Sequence, residues 1–227
     1  MADDPMTGDG GMEPVAEHTD SDLRGVDWGR RDLRGERFLR CKFADADLSE
    51  ATLDGCVFVE CDLSGVAFNA SVHQSTAFLG CRFRRTSFFD ATLTGCKLSG
   101  SVFEEECTLR PLTVDGGDWS YVSLRMQDLS GLDLTGLRLA EVDLTGADLR
   151  ETVLAGCDLS RAVLREAQLA GADLRGADLT AVDLRELDLT GARIDVQHAV
   201  ALAMAYGADV WIESGSPTSL SSPTWEA

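Results

Sequence analysis

From Leu23 onward a large apolar side chain returns at every fifth position. The first run is Leu23, Trp28, Leu33, Phe38, Phe43, Leu48, Leu53, Phe58, Leu63, Phe68, His73, Phe78, Phe83, Phe88, Leu93, Leu98 and Phe103. One residue is then inserted, and the register resumes at Leu109, Val114, Trp119 and Leu124 and holds to Ile194. His73 is the one polar residue among these central positions. The residue two places before each centre is usually small, as at Ala46, Ala51, Thr86, Ala147 and Ala172, and the one just before it is often Asp, as in ADLRG and VDLTG.

A period of five fits neither the 3.6 of a helix nor the 2 of a strand. It is met when each pentad turns one large and one small side chain inward and then makes a corner. Four such corners close a square coil of about twenty residues, and coils stacked at the ~4.8 Å strand spacing make residues 23–194 a rod of roughly eight to nine coils, about 40 Å long. A coil of this kind buries its Leu or Phe only against its neighbours, so the rod folds as an array and its ends need covers. The predicted fold is all-β, a right-handed quadrilateral β-helix with a C-terminal capping α-helix.

The pattern is interrupted once, at Glu104–Thr108, with Pro111 just beyond and Leu112 in a small-residue slot. Pro cannot donate to a ladder, so a kink or bulge near 104–112 is predicted. After Ile194 the period stops. Asp195 is a good N-cap, Val196–Tyr206 reads as a helix closed by Gly207, and Asp209–Glu213 reads as a short strand. This 195–213 segment has more apolar surface than one cap needs, at Leu202, Met204, Val210, Trp211 and Ile212. Surplus of that kind marks an interface. Residues 1–22 and the Ser- and Pro-rich residues 214–227 are predicted to be disordered tails.

Charge narrows the partners. The 227 residues carry a formal −19, with a pI of about 4.4. Residues 1–22 hold seven acids and no Lys or Arg, residues 195–227 hold four and none, and the repeat body carries the remaining −8. An acidic surface argues against direct nucleic-acid binding and suits a partner whose own surface is basic. No apolar run reaches membrane-spanning length, and the N-terminus lacks the basic and apolar regions of a secretory signal, so a cytoplasmic protein without a membrane contact is expected. Sorting the outward residues of 109–194 on a twenty-residue turn gives two modest acidic rows. Asp128, Asp148, Glu151 and Asp188 form one, offset by Arg110 and Arg150; Asp118, Glu141, Asp158 and Asp178 form the other, offset by Arg138 and Arg161. No face of that half is a solid acidic stripe.

Residues that invite chemistry have structural readings. All seven cysteines, Cys41, Cys56, Cys61, Cys81, Cys96, Cys107 and Cys157, fall two places before a centre and pack as small hydrophobes. No CxxC or His partner at ligand spacing accompanies them, so neither a metal nor any other cofactor is expected. His73 reads as a buried, hydrogen-bonded histidine at a local bulge, since Val72 and Gln74 supply no nucleophile or carboxylate. Asp before a central Leu reads as an outward turn former. No catalytic site is predicted.

The stretches Glu60–Phe68 (ECDLSGVAF), Gly100–Phe103 (GSVF), Leu109–Asp115 (LRPLTVD) and Gly191–Ala201 (GARIDVQHAVA) carry a resemblance beyond architecture. They resemble the MfpA-like group of the pentapeptide-repeat family, to which the Qnr and AlbG proteins are related. The resemblance runs from about residue 40 to about residue 210 and leaves the acidic head and the Ser-rich tail outside. It implies a homodimer joined through the C-terminal helices, a rod that imitates B-form DNA, and binding to DNA gyrase, a type II topoisomerase, with an altered response to fluoroquinolones or another gyrase poison. On that implication the two acidic rows face gyrase, and Val196, Ala199, Val200, Leu202, Ala203, Met204, Tyr206, Val210 and Trp211 form the dimer contact. An interaction scaffold of the same fold with another partner remains open.

Overall fold

The computed structural model describes residues 16–105 and 107–210. Parallel pairing carries one column of residues through every coil: Glu17 pairs with Arg37, Arg37 with Val57, Val57 with Ala77, Ala77 with Lys97, Lys97 with Asp118, Asp118 with Arg138, Arg138 with Asp158, and Asp158 with Asp178. Those eight steps at ~4.8 Å make a rod of about 38 Å. The step is twenty residues everywhere except across the insertion, where it is twenty-one, as between Ser87 and Thr108. The architecture is the predicted right-handed quadrilateral β-helix. We number its faces by their first centres: His18 on the first face, Leu23 on the second, Trp28 on the third and Leu33 on the fourth.

Chemistry at the corners explains the composition. The residue two places after nearly every centre sits in the left-handed region, for example Arg40 (φ 53°), Glu50 (φ 57°) and Glu151 (φ 60°), with Gly55, Gly65 and Gly136 in the same place and Pro111 and Glu186 as exceptions. Glycine is favoured there because it has no Cβ to clash. Asp before the centre locks the same corner: Asp128 Oδ1 accepts from the Ser130 N–H at 3.0 Å and from its hydroxyl at 2.7 Å, and Asp133 does so with Thr135.

The rod starts earlier than the apolar register predicts. His18, five residues before Leu23, occupies a centre and stacks on Phe38 at 4.8 Å, and Glu17–Thr19 pairs with Arg37–Leu39. Asp20 and Asp22 therefore belong to the first coil, paired with Arg40 and Arg24. The boundary at residue 22 is corrected, the rod including residues from Glu17 onward, because a histidine at a centre escapes a search for apolar residues. Residues 1–15 lie outside the described residues, as do 211–227, which hold Trp211, Ile212 and the Ser-rich tail. Asp209 and Val210, the described part of the expected 209–213 strand, are not in a strand.

The core is a set of columns. Phe38, Phe58 and Phe78 stack at 4.8 and 4.9 Å, Phe68 and Phe88 at 4.9 Å, and Phe83 and Phe103 at 4.5 Å. Leu takes over after the insertion, from Leu124 to Leu184, and is buried throughout. A side chain buried this fully contributes about 1.5–3 kcal/mol. His73 is fully buried and pairs in register with Leu53 and Leu93, so the backbone has no bulge there.

All seven cysteines are free and buried in the small inward slot. The slot has a polar duty as well. Cys61 Sγ donates to the Phe38 carbonyl at 3.4 Å and Cys81 Sγ to the Phe58 carbonyl at 3.4 Å, in each case twenty-three residues back. Thr76 and Ser101 do the same to Leu53 and Phe78. The corners after Phe38, Leu53, Phe58 and Phe78 make no backbone bond to their own central carbonyl, whereas the corner after Leu48 does, from the Ala51 N–H. A thiol or hydroxyl one coil on supplies the missing donor.

The predicted kink is an opened ladder. Pairing crosses the insertion on every face, through Ser87 with Thr108, Thr92 with Thr113, Lys97 with Asp118 and Val102 with Ser123, and continues on the first and second faces through Asp118 with Arg138 and Ser123 with Asp143. On the third and fourth faces Thr108 does not pair with Asp128, nor Thr113 with Asp133, although the steps before and after are paired. Gln127, buried in a small slot, mends part of the split: its Oε1 accepts from the Cys107 N–H at 3.2 Å and its Nε2 donates to the Glu105 carbonyl at 2.9 Å.

Candidate protein-interaction surface

The third face concentrates negative charge. Its ladder column runs Asp27, Asp47, Ala67, Ser87, Thr108, then Asp128, Asp148 and Gln168. With the corner residues, this face presents Asp27, Asp47, Glu50, Asp90, Asp128, Asp148, Glu151 and Asp188 against Arg30, Arg110 and Arg150. The second face instead sets Arg24, Lys42, Arg82, Arg84, Arg85, Arg125, Arg165 and Arg185 against its acids and is close to neutral. The asymmetry emerges only when the rod is read along its whole length.

Of the two expected rows, Asp128 and Asp148 are rungs of the third-face ladder, with Glu151 and Asp188 on that face by register, and Asp118, Asp158 and Asp178 are rungs of the first, with Glu141 at its corner. Half of them are engaged by neighbouring arginines: Asp128 by Arg110 at 2.9 Å, Asp148 by Arg150, Asp118 by Arg138 at 3.5 Å and Glu141 by Arg161 at 3.3 Å. Glu151, Asp158, Asp178 and Asp188 have no ion pair among the described residues. The aspartates also hold their corners. The Thr190 hydroxyl and then its N–H keep the Asp188 carboxyl below its ordinary range, and Thr180 does the same for Asp178. These are corner-locking carboxylates that also face outward, a double role the sequence reading divided.

The far end is covered by α1 (Val196–Ala205). Asp195 caps it, accepting from the His198 N–H at 3.0 Å and from the Gly176 N–H at 2.9 Å, which pins the helix to the coil below. His198 is buried with Nε2 at 2.9 Å from the Ala177 carbonyl, and Leu202, one turn on, packs against the core. Val200 and Ala203 are half-buried, while Val196, Ala199, Met204, Tyr206 and Val210 are exposed, Val196 at 77% and Met204 at 61%. Leu202 therefore belongs to the cap, and Val196 to the free surface. Trp211 lies outside the described residues.

Ser71 and His73 form a pair the sequence reading did not anticipate, with Ser71 Oγ 2.8 Å from His73 Nε2. Both are fully buried in the rod, and burial pushes the imidazole down to about 3. A neutral imidazole sealed among Phe68, Phe78 and Phe88 cannot meet a substrate.

Comparison with known proteins agrees with this architecture. A family model described as a pentapeptide repeat region matches residues 31–106, and one for pentapeptide repeats matches 120–156, 128–165 and 157–195. One rim of the opened ladder, Thr108 to Thr113, falls between the two sets, and the other, at Asp128 and Asp133, lies within the second. The pentapeptide repeat protein MfpA of Mycobacterium tuberculosis is 47% identical over 94 residues, which is 41% of this chain and 51% of that protein. The chain thus spans about half the length of this relative. Among solved structures, trypsin-treated QnrB1, a plasmid-mediated fluoroquinolone resistance protein, superposes with a TM-score of 0.71 at 22% identity, covering 86% of this chain and 100% of that one. A second trypsin-treated form of QnrB1 gives 0.54 at 23% identity, covering 86% of this chain and 99% of that one. At these identities the superpositions speak to the fold.

Proposed function

The chain belongs to the pentapeptide-repeat family, and from that footing we propose that it is a DNA-mimicking protein that binds DNA gyrase and alters its response to fluoroquinolones or another gyrase poison. The observation that carries the reading is the third face, where eight carboxylates stand against three arginines along a rod of about 38 Å by strand spacing. The similarity to MfpA supports the choice of partner. Duplex DNA carries about one charge per 1.7 Å, so a rod of this length would need about two dozen to match it. The third face falls well short, so the imitation rests on width and on the spacing of carboxylates along a column rather than on bulk charge.

In the same proposal the protein is a homodimer joined through α1, whose exposed Val196, Ala199, Met204, Tyr206 and Val210 lie at the end of the rod. Two rods end to end would reach about 76 Å by the same spacing. The protein acts in the cytoplasm as a binding partner, without catalysis, cofactor, membrane contact or direct nucleic-acid contact. The decisive experiment is a supercoiling assay with purified gyrase, titrated with the full chain. Inhibition, or relief of fluoroquinolone-stabilised cleavage, is expected in the micromolar range. No effect at tens of micromolar would transfer the acidic face to a scaffold with another partner.

A further inference from the structure

The opened ladder leaves two facing rims of backbone. In the next coil the third and fourth faces are joined by six bonds: the Leu129 N–H donates to the Asp148 carbonyl, Gly131 to Arg150, Leu134 to Val153, Gly136 to Ala155, Asp148 to Gln127 and Val153 to Leu132; the third face opens again only at the last coil, between Gln168 and Asp188. One step earlier, the corresponding N–H groups of Leu109, Val114, Asp128 and Asp133 make no such bond among the described residues. Pro111 removes one further donor, at the position where the Gly131 N–H donates to Arg150 in the next coil. Between the rims lies a cavity of about 890 Å³, lined by Cys107, Leu109, Leu112 and Leu132 on its inner side and by Arg110, Asp128 and Asp133 among its charged residues. That volume is within the ordinary range of ligand-binding clefts, roughly 300–1,000 Å³.

We propose that this slot is a docking site for an extended segment of a partner protein that carries a basic side chain. Backbone donors and acceptors repeating at strand spacing on both rims are the complement of another strand, the chemistry of β-strand addition. The inner wall of Leu109, Leu112 and Leu132 suits the alternate apolar side chains of such a strand. The charge of the mouth selects among strands. Asp133 has no ion pair among the described residues, the nearby Asp115 has none, and Asp128 has Arg110 alone. Neither terminal segment of this chain can satisfy that charge, because residues 1–15 and 211–227 contain no Lys or Arg. The slot shares Asp128 with the third-face column but is built from open rungs and from Asp133 of the fourth face, away from α1, so it stands whether or not gyrase is the partner.

The test uses the full chain and a phage-displayed library of random octapeptides. Selection is run against the protein and, in parallel, against a register-repaired variant in which Glu106 is deleted and Pro111→Gly restores the corner. Enriched peptides are then made synthetically and mapped by amide hydrogen exchange on the unaltered protein. Peptides alternating apolar residues with Lys or Arg are expected. They should protect the Leu109, Val114, Asp128 and Asp133 amides, bind the repaired variant at least tenfold more weakly, and lose at least fivefold in affinity on Asp133→Asn, which keeps an oxygen for Thr135. Four results would each overturn the proposal: no enrichment, equal binding to the repaired variant, protection at a rod end instead, or slow exchange of those four amides in the free protein. If the repaired variant does not fold, exchange on the unaltered protein and the Asp133→Asn affinity decide alone.

Discussion

Ser71 Oγ and His73 Nε2 lie 2.8 Å apart, sealed from water, and the Ser71 hydroxyl also reaches the Phe68 carbonyl at 2.6 Å. A hydroxyl has one proton to give. If it goes to Phe68, the imidazole donates from Nε2 and leaves Nδ1, which is buried without a partner.

This arrangement adds a contribution from one buried histidine to the acid side of the stability curve. Folded His73 stays neutral down to about 3, while the unfolded chain takes up its proton near pH 6.5. The folded value is depressed, so the contribution is intact above pH 6.5 and is lost as pH falls below it, by about 1.4 kcal/mol per unit until the folded state protonates. His73→Leu removes this slope and the orphaned Nδ1, and is expected to raise stability at pH 7 by about 1 kcal/mol or more. Urea midpoints at pH 7, 6 and 5 check it. Parallel curves for the two proteins would refute it.

Gln127→Ala leaves the Cys107 N–H and the Glu105 carbonyl without their side-chain partner. A loss of about 2–3 kcal/mol is expected. Because the third- and fourth-face rungs are already open there, the two halves should also begin to unfold separately, seen as fluorescence and circular-dichroism transitions that no longer coincide. Coincident transitions would mean that the first and second faces suffice to couple them.

The thiols should be inert in the native state. Burial pushes Cys56, Cys96 and Cys157 up to about 11, and only the thiolate reacts. Ellman's reagent at pH 8 is expected to find none of the seven until denaturant is added. Cys61→Ser, which retains a donor for the Phe38 carbonyl, should cost less than Cys61→Ala, with both within about 1–2 kcal/mol. Rapid native labelling of even one thiol would mean that the coils open.

On the acidic face the choice of residue matters. Reversing Asp128 or Asp148 removes a corner lock as well as a charge, since each accepts the N–H two residues on. A loss of about 1 kcal/mol accompanies such a change. Asp90→Lys with Glu151→Lys avoids this, because neither side chain locks a corner by a hydrogen bond. That double variant should raise the concentration needed to affect gyrase by fivefold or more, with an unchanged melting temperature. Unchanged potency would remove the third face from the contact.

Val196→Asp with Met204→Asp places charge on the exposed side of α1 and spares His198 and Leu202, which cover the last coil. Sedimentation should show a dimer for the parent chain and a folded monomer for the variant. A monomeric parent at micromolar concentration would end the two-rod arrangement.

The sequence by itself determined the repeat, the inward and outward positions, the slot of every cysteine and the helix that stops the rod. Period five leaves one way to alternate large and small inward residues, and Asp195 with Gly207 marks a helix locally. What only the tertiary structure decided are the relations between residues twenty or more apart. His18 counts as a centre because Phe38 lies against it. The Cys61 thiol has a donor's task because the corner after Phe38 leaves its carbonyl unpaired. Eight acids share a face because a twenty-one-residue step across the insertion returns the later repeats to the same columns. The insertion itself was legible as a break, but whether a break becomes a bulge or an open slot depends on which rungs survive. That was settled by Pro111, which has no N–H to give, and by Gln127, whose amide reaches across to Cys107 and Glu105.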